Sequence, residues 1–276
     1  MRMRTRFRLP SVDLAALDNG LPTASPTVLL VPGYTGSKED FLPLLRPLGR
    51  AGYRAISVDQ RGQYESGWAN SPEEYTIDAL ATDVCQLAAD LGQQTSAVHL
   101  VGHSFGGLVA RAAVLRKPEL FADLVLMGSG PAAIGGPRRD ALDAGEQILA
   151  EHGMATLWEQ LQLRSQADPR YVRPAPALLE FLRTRFMATD PVGLAVMGRE
   201  LRSETDQTED LAGLNKPILV LHGVDDDAWP PEVQAEMAAR LGVPRVAIEE
   251  AAHSPAVENP DATVAALVEF WQSIQA

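Results

Sequence analysis

The chain has a single cysteine, Cys85, in 276 residues. One thiol excludes an internal disulfide. Its place among Ala81, Val84 and Ala88 in the helical run "IDALATDVCQLAADL" reads as a core position, because free cysteine packs as a small hydrophobe. Positive charge is scarce as well: lysine and arginine number 24 against 36 aspartates and glutamates, a formal net charge of −12. Such a surface repels phosphate backbones and anionic lipid, so neither nucleic acid nor a membrane surface is expected as a partner. No stretch approaches the roughly 20 apolar residues that a membrane helix needs. The arginines of "MRMRTRFRLP" have no apolar run behind them, so the start does not read as a secretory leader, and a cytoplasmic protein is expected. Internal repeats and low-complexity tracts are also missing.

What is present is an ordinary globular composition, 46% hydrophobic and 22% charged, in a length that suits one core carrying an insertion. Arg2, Arg4, Arg6 and Arg8 alternate with Met3, Thr5, Phe7 and Leu9, the period of a half-exposed strand. "SVDLAALDNG" reads as a second strand ending in an Asn-Gly turn, so the chain opens with a hairpin. Six β-rich runs follow, at 27–32, 53–59, 97–103, 122–128, 217–223 and 245–250. Helical patterns at 40–51, 74–91, 106–116, 231–241 and 260–275 alternate with them. Near-continuous apolar strands alternating with helices imply an α/β architecture, a mostly parallel sheet covered on both faces. From about 131 to 210 the alternation stops. Successive helices punctuated by "GGPRR", "DPRYVRPAP" and "TDPVG" read there as a helical cap, inserted into a core made of 1–130 and 211–276.

Ligands of open α/β sheets bind beyond the carboxyl ends of the strands. Four such places hold reactive residue types. In "GHSFGG", Ser104 falls where a strand pattern turns into a helix pattern. A turn that sharp strains its middle residue and exposes the hydroxyl, while Gly102 and Gly106 let strand and helix approach. A serine hydroxyl needs a base, and the base needs an orienting carboxylate. "HGVDDDAWP" offers Asp225, Asp226 and Asp227, which spacing alone does not separate. Among five histidines, His99 reads as core, His222 as packed, and His152 as part of the cap. His103 adjoins Ser104 with its side chain expected to point the other way. His253, in the loop of "EEAAHSPAVENP" between the last strand and the last helix, is the candidate base. Finally, Gly33 and Gly36 of "VPGYTGS" allow a tight turn that presents the N–H of Tyr34. The N–H of Phe105, at a helix N-terminus, would be its partner in holding a developing oxyanion. Arg138 and Arg139 read as a solvated pair.

The order Ser104, acid, His253 is the chain order of the α/β-hydrolase fold. The chain resembles capped serine hydrolases of the α/β-hydrolase superfamily over essentially its whole length. "GHSFGG" matches their nucleophile elbow and "AAHSPAVENP" resembles their histidine loop. "GVDDDAWP" resembles the acid loop, whose acid is usually third after the glycine, which implies Asp226. "DQRGQYES" at 59–66 resembles the loop written Asp-x-Arg-Gly-x-Gly-x-Ser, with Tyr64 at a usual glycine. Pro32-Gly33 stands where members often have His-Gly. "PGYTG" is locally similar to the oxyanion loop of bacterial cutinases and polyester hydrolases. The resemblance implies an eight-stranded α/β-hydrolase fold with an inserted cap, and hydrolysis of a carboxylic ester or related acyl compound. The triad would be Ser104, His253 and Asp226, with oxyanion donors at Tyr34 and Phe105. The implied substrate is a small molecule with an apolar acyl part, and neither a metal nor an organic cofactor is needed. The same triad serves C–C bond hydrolases, lactonases, thioesterases, amidases and perhydrolases; a non-catalytic ligand receptor on this fold and an acyltransferase are the remaining alternatives.

Overall fold

Eight strands form one sheet in a computed structural model that describes residues 3–92, 98–167 and 171–274. Arg2, Ala97, Asp168 to Arg170 and the end of the last expected helix lie outside the described residues. β1 (Met3–Arg8) and β2 (Asp13–Asp18) make the expected hairpin, with Arg4, Arg6 and Arg8 exposed. The strands β3 (Thr27–Val31), β4 (Arg54–Val58), β5 (Val98–His103), β6 (Phe121–Met127), β7 (Ile218–Gly223) and β8 (Arg245–Ile248) run parallel to one another. β2 joins them antiparallel to β4, giving the order β1-β2-β4-β3-β5-β6-β7-β8.

The helices are α1 (Leu42–Arg50), α2 (Ile77–Gly92), α3 (Phe105–Arg116), α4 (Gly136–Ala167), α5 (Pro176–Met187), α6 (Pro191–Ser203), α7 (Thr208–Ala212), α8 (Pro231–Leu241), α9 (Pro255–Glu258) and α10 (Pro260–Ser273). Successive strand residues face opposite layers. Val28 and Leu30 of β3 pack towards Leu44 and Leu48 of α1 and Leu267 and Trp271 of α10. Leu29 and Val31 pack towards Leu80 and Leu87 of α2, Val109 of α3 and Met237 of α8. Both faces being covered, the central strands read as unbroken apolar runs. His99 is buried there as expected, its Nδ1–H donating to Asp123, which also accepts from the Trp271 indole. Cys85 is buried too.

Between β6 and β7 the described residues hold helices α4 to α7 and no strand. α4 begins inside "GGPRR", because a proline in a first helical turn gives up an N–H that has no partner there. It breaks instead at Gly153, whose φ of 77° is not helical. The two ends of the segment are pinned to the core by Arg111 of α3, which donates to the Pro131 carbonyl and to the Glu204 carboxylate. The hydroxyl of Tyr75 bonds to Asp190, the N-cap of α6.

Candidate active site

Parallel strands bring their carboxyl ends to one edge, and Ser104, Asp226, His253 and the 33–34 turn all follow such ends. Ser104 sits between β5 and α3 at φ 54° and ψ −122°, its N–H held by the Met127 carbonyl at 2.9 Å. A non-glycine residue in that region costs about 1–3 kcal/mol and persists only where the surroundings impose it. They do so here through close approach. A Cβ on Gly102 would lie 2.3 Å from the Gly106 carbonyl oxygen, and one on Gly106 would lie 2.4 Å from the Val31 and Pro32 carbonyl oxygens. Only glycine fits at either position.

The structure brings Ser104, His253 and Asp226 into one line. Asp226 Oδ1 lies 3.0 Å from His253 Nδ1, and His253 Nε2 lies 2.9 Å from Ser104 Oγ. A carboxylate only accepts, so Nδ1 carries the proton and Nε2 is left to accept from the serine hydroxyl. Of the three aspartates, Asp226 is buried while Asp225 and Asp227 are exposed, and Arg138 pairs with Asp227 at 2.7 Å. Burial pushes the Asp226 carboxyl up. The bonds from His253, from the Ala228 N–H at 2.9 Å and from Gln234 Nε2 at 3.0 Å outweigh it and hold the group below its ordinary value. Gln234 of α8 is wholly buried and also donates to the Trp229 carbonyl, so it fixes the carboxylate from behind. Nothing in the sequence pattern distinguishes it from a surface glutamine of α8.

His103 corrects one expectation. Its ring does not turn away from the site: Nε2–H donates to the His253 carbonyl at 2.7 Å, and the two rings lie 5.0 Å apart. The loop after β8 folds across the elbow and is met by Ser104 and His103 together. Burial, then the neighbouring His253, pushes the His103 imidazole down from 6.5 to about 4. Between those values the unfolded chain takes up a proton that the folded one refuses, so this group's contribution is lost as pH falls from 6.5 towards 4. The urea midpoint of the native chain is expected to fall more steeply between pH 7 and 4.5 than that of His103→Gln; parallel slopes would refute this.

The turn after β3 lies against the elbow, a Cβ on Gly33 falling 3.1 Å from Ser104 Cβ. Among the described residues, neither the Tyr34 nor the Phe105 N–H meets an acceptor. The Tyr34 hydroxyl donates to the Leu194 carbonyl of α6 at 2.8 Å, and its ring joins Leu157, Trp158, Phe186 and Leu194 in an apolar cluster. Tyr64 takes the left-handed backbone of the glycine it replaces, at φ 39°. That costs about 1–2 kcal/mol; Lys38 Nζ 4.5 Å over its ring and Phe181 edge-on at 5.9 Å offset it. His222 is buried, bonded to Gly223 and Arg245, and His152 is exposed on α4. No group of three or more His, Cys, Asp or Glu among the described residues is placed to hold a metal. No described helix is long and apolar enough to cross a membrane.

The profile of the Alpha/beta hydrolase family matches residues 28–267. The chain belongs to that family. Relatives of this α/β-hydrolase include a non-heme haloperoxidase of Rhodococcus erythropolis, 30% identical over 219 residues, 76% of this chain and 78% of that one. A bifunctional esterase/perhydrolase of Acinetobacter calcoaceticus is 28% identical over 246 residues, 83% of this chain and 84% of that one. A thermophilic esterase from Thermogutta terrifontis superposes with a TM-score of 0.80 at 26% identity, with all of both chains covered. This α/β-hydrolase is accordingly an enzyme.

Proposed function

We propose that the chain is a serine hydrolase that cleaves a carboxylic ester, or a related acyl compound, through an acyl-enzyme. The observation that carries this reading is the unbroken chain of hydrogen bonds from Asp226 through His253 to Ser104. Ser104 Oγ attacks the carbonyl carbon as His253 Nε2 takes its proton, and Asp226 stabilises the imidazolium that forms. The Tyr34 and Phe105 N–H groups hold the oxyanion. His253 returns the proton to the leaving alcohol, and water, losing a proton to His253, then releases the acid and restores Ser104. The helices of 131–210 act as a cap over this edge of the sheet. The cluster of Leu157, Trp158, Leu161, Phe186 and Leu194 around Tyr34 favours an apolar acyl group.

The esterase/perhydrolase relative gives a second reading on the same acyl-enzyme, in which hydrogen peroxide replaces water and a peracid leaves. Both are tested by turnover of p-nitrophenyl esters from acetate to long acyl chains, with and without peroxide. A maximum at one chain length supports the apolar acyl pocket, and peracid formed with peroxide supports the second reading. No ester turnover at any length contradicts the first.

A further inference from the structure

Three consecutive carbonyls of the 32–34 turn are held by the side chains of two buried glutamines from the 59–66 loop. Gln60 Nε2 donates to the Pro32 oxygen at 2.8 Å. Gln63 Nε2 donates to the Gly33 oxygen at 2.8 Å and to the Tyr34 oxygen at 3.2 Å. Gln63 is wholly buried, and its own Oε1 accepts the Gln60 N–H at 3.0 Å, so both ends of its amide are engaged.

A trans peptide is planar, with its C=O and the following N–H pointing in opposite directions. The Gly33 oxygen and the Tyr34 N–H belong to one such plane. A donor gripping that oxygen from the 59–66 side therefore turns the Tyr34 N–H away from the loop. Gly33 itself lies against Ser104. The plane turns about ψ of Gly33, which carries no side chain to restrict it, and φ of Tyr34. The Gly36 N–H also meets the Gly33 oxygen, at a longer 3.1 Å, so Gln63 supplies the shorter hold and the side-chain one among the described residues.

We propose that Gln63 is the positioning residue for oxyanion stabilisation: its amide sets the peptide plane that aims the Tyr34 N–H at the tetrahedral intermediate. The proposal rests on the reading of Ser104 as nucleophile and Tyr34 as donor. Gln63 touches neither substrate nor the reacting atoms. Its effect is felt only when charge gathers on the carbonyl oxygen, so it acts on kcat rather than on ground-state binding.

The test uses Gln63→Met and Gln63→Glu, each compared with the native chain on the p-nitrophenyl ester that it turns over best. A trifluoromethyl ketone of matching acyl length, which forms a tetrahedral oxyanion adduct with a serine, reports the hole directly. Loss of a whole donor costs about 10²–10³ in kcat, and a misaimed one less. Gln63→Met is expected to lower kcat roughly 10- to 100-fold with KM within about twofold, and to weaken the ketone by the same factor. Gln63→Glu keeps an acceptor for the Gln60 N–H and can donate to the Gly33 oxygen only while protonated. Its activity relative to the native chain is expected to be highest near pH 6 and to fall towards pH 9. Unchanged kcat in Gln63→Met, a ketone affinity that does not follow kcat, or a pH-independent ratio for Gln63→Glu would overturn the proposal. Should Gln63→Met fail to fold, the pH ratio of Gln63→Glu decides. Activity that survives Ser104→Ala would instead overturn the nucleophile reading on which it rests.

Discussion

Ser104→Ala is expected to lower kcat/KM for an ester by about four to six orders of magnitude, with the fold retained. The magnitude follows from how a nucleophile and its base work. Once the hydroxyl is gone, His253 has no proton to take and the acyl-enzyme cannot form, so the rest of the site acts only on uncatalysed attack by water. What remains is the small benefit of binding and of the oxyanion donors. The fold should hold because the elbow is kept by backbone contacts, the Ser104 N–H to the Met127 carbonyl and the glycine approaches at 102 and 106. A far-ultraviolet spectrum and melting curve like those of the native chain, beside turnover within tenfold of it, would refute the assignment of Ser104.

Asp226→Asn is expected to lower kcat by about 10⁴ near neutral pH. Three donors converge on the carboxylate: His253 Nδ1–H, the Ala228 N–H and Gln234 Nε2. An asparagine has one acceptor oxygen for those three donors. If the oxygen stays on His253 and Ala228, the new amide NH₂ confronts the NH₂ of Gln234. If the amide turns, its NH₂ faces His253 Nδ1, and the imidazole carries its proton on Nε2, where it can no longer accept from Ser104. In either arrangement the negative charge opposite the forming imidazolium is gone. Turnover of an ester at pH 7 to 8 measures the effect, and a loss below tenfold would exclude Asp226 as the acid.

The sheet is open to reading from the amino-acid pattern because its central strands are buried on both faces, which leaves runs such as "VLLV" and "ILVL" with no polar interruption. Family membership could be read in the same way, from the elbow and the order of the three loops. Other features were closed to it for physical reasons. α9 is a four-residue helix within the histidine loop, too short to show a period. The start of α4 was hidden because a glycine-proline cluster marks a loop and a helix N-terminus alike. The sharp turn beside Ser104 directs the His103 side chain the other way by sequence, yet what decides its role is a loop arriving from 150 residues further along the chain. Gln63 and Gln234 were invisible: whether a glutamine amide meets a carbonyl or a carboxylate depends on tertiary placement that no local pattern encodes. Tyr64 shows the opposite case. The family pattern marks a glycine there, and the tyrosine keeps the left-handed backbone while gaining contacts with Lys38 and Phe181.

The most direct measurement is the site of covalent labelling by a fluorophosphonate, read by intact mass and peptide mapping. One adduct per chain is expected on the peptide containing Ser104, absent from Ser104→Ala and slowed in Asp226→Asn. An adduct on another residue, or none while the native chain turns over esters, would contradict the account of Ser104 as its nucleophile.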